Sequence, residues 1–174
     1  MGMVRTGRWA LLLVALMPLQ AMAAVDAYMT IVGATQGKIM GGNVKQGGAS
    51  EEIPLLSVIH NVSSPRDAAT GLASGKRQHG TITVVKEIDA ASPKFAQAFD
   101  TNEVLREVVI AYRSGGTGAA AGKTKTAQRI MLTNATITGL QKVGNTERIT
   151  IDYLQIEVTY VNGSKAATDD WDAK

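Results

Sequence analysis

Cysteine is absent from this 174-residue chain. That excludes disulfides, thiolate metal sites and a cysteine nucleophile. Histidine is nearly absent: His60 and His79 lie in separate segments, and neither has a second ligand at metal-binding spacing. No Gly-x-Ser-x-Gly elbow marks a serine hydrolase, since residues 71–75 read GLASG. A phosphate-binding loop is missing too. In RSGGTGAAAGKT, residues 113–124, Gly118 and Gly122 enclose three residues where that loop needs four. The following TAQRIMLTNATI is β-type, not the helix whose N-terminus would hold a phosphate. The uncharged apolar run Trp9–Met17 is too short for a transmembrane helix, which needs about 20 such residues. These absences leave no catalytic, metal or cofactor site to argue for, and the chain reads as a non-enzyme.

What is present begins with a targeting pattern. Arg5 and Arg8 precede the apolar run, Pro18–Gln20 breaks it, and Ala21-Met22-Ala23 supplies a small-x-small cleavage pattern. Residues 1–23 therefore read as a secretory signal peptide, and 24–174 as one domain. The competing reading starts translation at Met22. Without residues 1–23 the chain loses two arginines and no acids, leaving 16 Lys+Arg against 15 Asp+Glu. So small a net charge gives no support to nucleic-acid or membrane binding once the signal is cleaved. About 150 residues can still bury a core sufficient without disulfides.

Along the domain, Val25–Val32 reads as a strand. A glycine-rich stretch follows, with six glycines between residues 33 and 50 and an apolar centre at Ile39, Met40 and Val44. Loops of this length are functional or disordered. Ile53–His60 reads as a strand, and 61–78 as a second loop rich in Ser, Gly and Pro. Val104–Tyr112 has apolar residues on both parities, so both faces should be covered. Gln128–Thr133 and Ala135–Val143 are further β-type runs. In 146–161, Ile149, Ile151 and Tyr153 hold odd positions while Leu154, Ile156, Val158 and Tyr160 hold even ones. Such a parity flip predicts a bulge near Tyr153–Leu154 or a change of sheet there. Asp169, Asp170 and Trp171 form a short acidic aromatic tail, read most simply as a solvated terminus.

The stretch HGTITVVKEIDAASPKFAQAF, residues 79–99, carries the most information. Ile82, Val84 and Ile88 alternate with Thr81, Thr83 and Glu87, the period of a strand. Lys86 interrupts the apolar face and is expected to snorkel outward along its stem. Ser92 suits an N-cap and Pro93 the first helical position. Phe95 and Phe99, the chain's two phenylalanines, sit four apart and should plug the core together. Asn102 suits a left-handed stop. A helix over 93–101 is too short to persist alone and needs a sheet beneath it. The fold is therefore expected to be mainly β, with roughly seven to nine strands and one short α-helix.

On "DAYMTI" (26–31), "TGLASGKRQHGTITVVKEIDAASP" (70–93), the long final strand and "TDDW" (168–171), the chain resembles the Hcp (haemolysin-coregulated protein) family. These are the tube subunits of bacterial type VI secretion systems. The specific element is the middle one: a strand, then Lys-Glu-x-Asp, then Ser-Pro opening the helix. The resemblance implies a closed β-barrel of two packed sheets, forming hexameric rings that stack into a hollow tube. Implied partners are the chain itself, a spike protein and small effector proteins. An extended loop over 33–52 would mediate stacking, with Ile39, Met40 and Val44 as docking residues. If the loop adopts positive φ at Gly41 or Gly42, a bulky β-branched residue at either should impair stacking first. Asp170 and Trp171 would complete the subunit interface. The alternative is a ring that carries or chaperones cargo in its lumen without a tube. Tube subunits normally lack a signal peptide, so this variant is expected to be exported and assembled in the periplasm or outside the cell. A start at Met22 would instead leave it cytosolic until secretion.

Overall fold

The computed structural model describes residues 25–43, 48–114, 125–162 and 165–172. The predicted signal segment and Val44 lie outside them. Strand β1 (Val25–Gly33) forms a tight hairpin with β2 (Gly37–Ile39). A separate two-stranded ribbon follows, β3 (Gly41–Asn43) with β4 (Gly48–Ser50). Next come β5 (Ile53–Leu55), β6 (Ser57–Ser63), β7 (Gln78–Glu87), helix α1 (Ser92–Asp100) and β8 (Leu105–Ser114). The chain ends in β9 (Lys125–Val143), β10 (Thr146–Asn162) and β11 (Lys165–Asp172). Every pairing among these strands is antiparallel.

The main sheet runs β2-β1-β8-β9-β10-β7-β6, with β5 added on β1 and β11 on β10. Its two ends are joined by one run of chain. β5 pairs with β1, Leu56 N–H donates to Val85 O at 2.8 Å, and β6 continues on β7. A sheet brought round on itself in this way encloses its apolar face as a barrel. Met29, Ile53, Ile82, Ile110, Leu132 and Ile151 fill it, all essentially without solvent contact. Val109 on the other parity of β8 is buried as well, as expected of a strand covered on both faces.

The parity change in β10 has a clear cause. Over Thr146–Ile151 its edge pairs with β7, and over Gln155–Asn162 the same edge pairs with β11. Between them Tyr153 is buried and Leu154 exposed, after which Ile156 and Val158 turn inward. β9 flips opposite it: Ile137 and Ala135 face in, then Leu132 and Ile130, with Asn134 at φ 52° between them. β9 is thus one strand where two runs were expected. The register is the same on both sides of the corner, where Leu154 and Asn134 are left unpaired, and the register shift lies earlier, at Thr150/Ile151. Tyr153 pins the corner by donating its hydroxyl to Gly80 O at 2.7 Å. Burial, with Asp152 adding to it, pushes that hydroxyl up to about 12, so it keeps its proton at physiological pH.

α1 closes the barrel on the β9 side. Its C-terminus is a Schellman turn: Glu103 N–H donates to Ala98 O at 2.8 Å and Asn102 N–H to Phe99 O at 3.2 Å, with Asn102 at φ 51°. Phe95 is fully buried, but Phe99 is 36% exposed and does not share its plug. The covered stripe of the helix runs Ser92, Phe95, Ala98, three apart, and Phe99 lies to one side of it. Phe95→Ala is expected to cost roughly 3–5 kcal/mol, whereas Phe99→Ala should cost about 1 kcal/mol or less. Urea unfolding of the two variants measures the difference.

Candidate functional site: a buried polar knot under the ribbon

Lys86 does not snorkel. It takes the inward position after Ile82 and Val84 and is 1% exposed, while Ile88 lies outside the strand and is exposed. Its ammonium donates to Glu87 O at 2.5 Å, Asp89 Oδ1 at 2.6 Å and Glu147 Oε1 at 2.9 Å. All three protons of the charged form are used. The Phe95 ring lies 5.6 Å from the same nitrogen, within cation–π range. A buried ammonium is tolerable only with such partners, because desolvation otherwise favours the neutral amine.

Ser92 joins the knot instead of capping the helix in the usual way. Its hydroxyl donates to Glu147 Oε1 at 2.7 Å and accepts from Asp89 N–H at 3.0 Å. No side chain caps the helix: Ala91 is the N-cap residue, and Asp89 Oδ1 accepts from its N–H at 3.0 Å. A carboxylate there also faces the positive end of the helix. Glu147 is wholly buried, and its Oε2 has no hydrogen-bond partner among the described residues. Lys86-Glu87-Ile88-Asp89 and Ser92-Pro93 are thus one unit: a strand end, a helix start and a carboxylate from β10 held around one cation.

The knot reaches the glycine-rich segment. Asp89 Oδ2 accepts from Gly42 N–H at 2.9 Å. Neither Gly41 nor Gly42 has positive φ; the described glycines that do are Gly37, Gly71 and Gly144. Gly41 is required for space instead, because a Cβ there would stand 2.9 Å from Ile53 Cγ1 and 3.1 Å from Asp89 Oδ2. At Gly42 a Cβ would meet nothing closer than 3.5 Å. The presumed loop also starts later than expected. Ile39 pairs with Ile31 and is 1% exposed, so its side chain is core and is not free to dock. Ile53 is equally buried, and what projects between these two anchors begins at Met40, which is half-buried.

A second carboxylate holds the β1–β2 turn. Glu103 Oε1 accepts from Thr35 N–H at 2.7 Å and Gln36 N–H at 2.8 Å, and Oε2 from Gln36 Nε2 at 2.8 Å. Burial pushes this carboxyl up, but the bonds from Gln36 and Thr35 together outweigh it and hold it below the ordinary range. A Cβ at Gly33 would run into the same oxygen, which explains the glycine at that close approach. Beside the ribbon, Arg113 makes a two-pronged ion pair with Glu52 and lies 5.0 Å from the Tyr28 ring.

Asp170 and Trp171 stand far from this region. They lie in β11, opposite Glu157 and Ile156 of β10, so the supposed tail is a strand of the sheet. The structure therefore does not gather the candidate interface residues into one patch. It does bring together the two histidines that looked unrelated: His79 Nδ1 is 3.1 Å from His60 Nε2 across the β6–β7 pair, with the rings stacked. Burial, and then His79, hold His60 below its ordinary value. Among the described residues, no three His, Asp or Glu side chains converge as a metal site. Lys86 and Glu147 were missed as partners because 61 residues separate them; the one sequence signal was a charge at an inward strand position.

Residues 28–160 match the family described as "Type VI secretion system effector, Hcp". The chain belongs to the Hcp family. It is 30% identical over 169 residues to the "Major exported protein" of Pseudomonas aeruginosa, covering 85% of this chain and 96% of that one. Among solved structures, this Hcp chain is similar to the secreted protein Hcp3 of Pseudomonas aeruginosa. The TM-score is 0.66 and the identity 26%, over 83% of this chain and 99% of that one. Hcp1 of Escherichia coli EAEC 042 shares the fold at 23% identity, with a TM-score of 0.71 over 85% of this chain and 99% of that one.

Two outcomes follow from this geometry. Lys86→Met leaves Asp89 and Glu147 buried without a cation and should cost about 3–5 kcal/mol in urea unfolding. His60, with its folded value below the unfolded value of about 6.5, resists protonation in the fold. Its contribution is complete above that pH and is lost as pH falls through the lower folded value. Urea midpoints taken from pH 7.5 down to 5 should therefore fall more steeply for wild type than for His60→Gln.

Proposed function

We propose that this Hcp chain is a structural subunit whose copies close into hexameric rings, and that the rings stack into a hollow tube. The family match over residues 28–160 carries the reading. A ring is a head-to-tail contact that closes by rotation, and it needs two different faces on each subunit. Strand β6, whose outer edge is unpaired among the described residues, suits one of them: Ile59 and Val62 lie on it at 44% and 47% exposure, with Leu56 beside them at 59%. Long apolar edges left open invite strand pairing with other chains. The ribbon β3–β4, raised between the buried Ile39 and Ile53, suits contact with the next ring. Met40 and Val44 remain its apolar docking candidates, and Asp170 and Trp171 on β11 a second contact.

Export completes the reading. Residues 1–23 act as a cleaved signal, so the mature subunit starts at Ala24 and assembles in the periplasm or outside the cell. A spike protein and small effectors are its expected partners there, and no catalytic step is assigned to it. A relative named "Major exported protein" supports secretion as such.

Native mass spectrometry and negative-stain microscopy of the mature chain test the ring and the tube. Six-chain rings are expected, and Ile59→Lys with Val62→Lys should leave folded monomers, whose unfolding free energy stays within about 1 kcal/mol of that of the dissociated wild-type chain. Monomer alone at high concentration of the wild type would sink the assembly reading. Intact mass of protein from separated cell fractions tests export: a chain beginning at Ala24 outside the cytoplasm is expected, and one beginning at Met22 in the cytosol would refute it.

A further inference from the structure

The ribbon β3–β4 forms a sheet of its own, and β3 pairs with β4 rather than with the barrel. A short two-stranded ribbon has little stability by itself. Its pose must therefore come from what grips it. Among the described residues, the hydrogen bond from Gly42 N–H to Asp89 Oδ2 fastens it to the body, at 2.9 Å. The acceptor is itself rigid. Asp89 is 7% exposed at its side chain, and its other oxygen is fixed by Lys86 Nζ and Ala91 N–H. Gly41 lies close enough to Ile53 and Asp89 that no side chain fits between ribbon and body.

Resting on the tube reading above, we infer that Asp89 is the positioning residue of the stacking ribbon, and that its two carboxylate oxygens divide the work. Oδ1 belongs to the knot and the helix start; Oδ2 sets the height and angle at which the ribbon meets the next ring of the same chain. The ribbon's orientation is thereby tied to α1 and to β10, through Lys86 and Glu147. A carboxylate is needed for both tasks at once. An asparagine has one carbonyl oxygen and turns an N–H₂ donor toward either Gly42 N–H or the Lys86 and Ala91 donors.

The test compares wild type, Asp89→Asn, Gly41→Ala and, as a control for general destabilisation, Leu132→Ala in the distant core. Hydrogen exchange of amides 41–50 is read together with ring formation and ring stacking in the full chain. Asp89→Asn is expected to speed ribbon exchange about tenfold or more, the loss of one charge-assisted bond. Rings should still form but should stack poorly. Gly41→Ala, which pushes the ribbon off Asp89 with the knot intact, should do the same even if Asp89→Asn does not fold. Leu132→Ala should lower the melting temperature while leaving the ratio of stacked to single rings unchanged. Ribbon exchange in Gly41→Ala equal to that of wild type would overturn the inference, as would an equal acceleration in Leu132→Ala. Wild-type rings that never stack would refute the tube reading instead, and the exchange rates would still decide whether Asp89 holds the ribbon.

Discussion

The ammonium of Lys86 is the fixed point to which four separate segments are attached. Through it the end of β7, the start of α1, the hairpin end of β10 and the base of the ribbon are all held within a few ångströms. The arrangement follows from the cost of burying charge. A lysine at an inward strand position must be supplied with acceptors for each proton, and the only acceptors that can be brought there come from the turn just after it and from a strand alongside. A single buried cation of this kind contributes little net stability compared with an apolar packing. What it contributes is registry, because an aliphatic cluster would tolerate a shifted helix and three directed hydrogen bonds do not.

A second constraint is the pair β9–β10, the long hairpin on which both halves of the barrel are built. Its length lets β10 serve two edge partners in succession, β7 and then β11. The corner between them is where the inward face changes parity in both strands together. An isolated bulge would have shifted the register at that point. A corner taken by two strands in step skips one pair, Leu154 with Asn134, keeps the register on either side, and needs just one left-handed residue, Asn134. Asn tolerates that conformation better than most side chains do. β5 and β6 then carry the chain from β1 to β7, and among the described residues β6 pairs with β7 alone, with Ile59 and Val62 exposed on it.

Much of this was readable from residue order. Strand alternation at Ile82 and Val84, the two-sided apolar run at Val108–Ile110, the left-handed stop at Asn102 and the parity change after Tyr153 each report a local period or a backbone preference. Such signals do not depend on distant partners. The errors also share a cause. The local pattern puts Lys86 outside, Ser92 at the cap and Phe99 in the core. Each expectation applies the commonest local rule to a residue whose state is set by something remote: Glu147 for Lys86 and Ser92, and the helix face that the barrel takes, Ser92-Phe95-Ala98, for Phe99.

The sequence by itself determined the class of fold, the single short helix and the absence of any cysteine or thiolate chemistry, because periodicity and composition are properties of neighbouring residues. Tertiary structure alone decided that a lysine would be buried, that two distant histidines would stack, and that the presumed tail would become a strand. It also decided that the ribbon would be fastened by one carboxylate oxygen. Those outcomes depend on which segments meet. In a barrel the meeting is fixed by strand order and register across many tens of residues, so neither the cost of burying a charge nor the partner that offsets it is written in the local sequence.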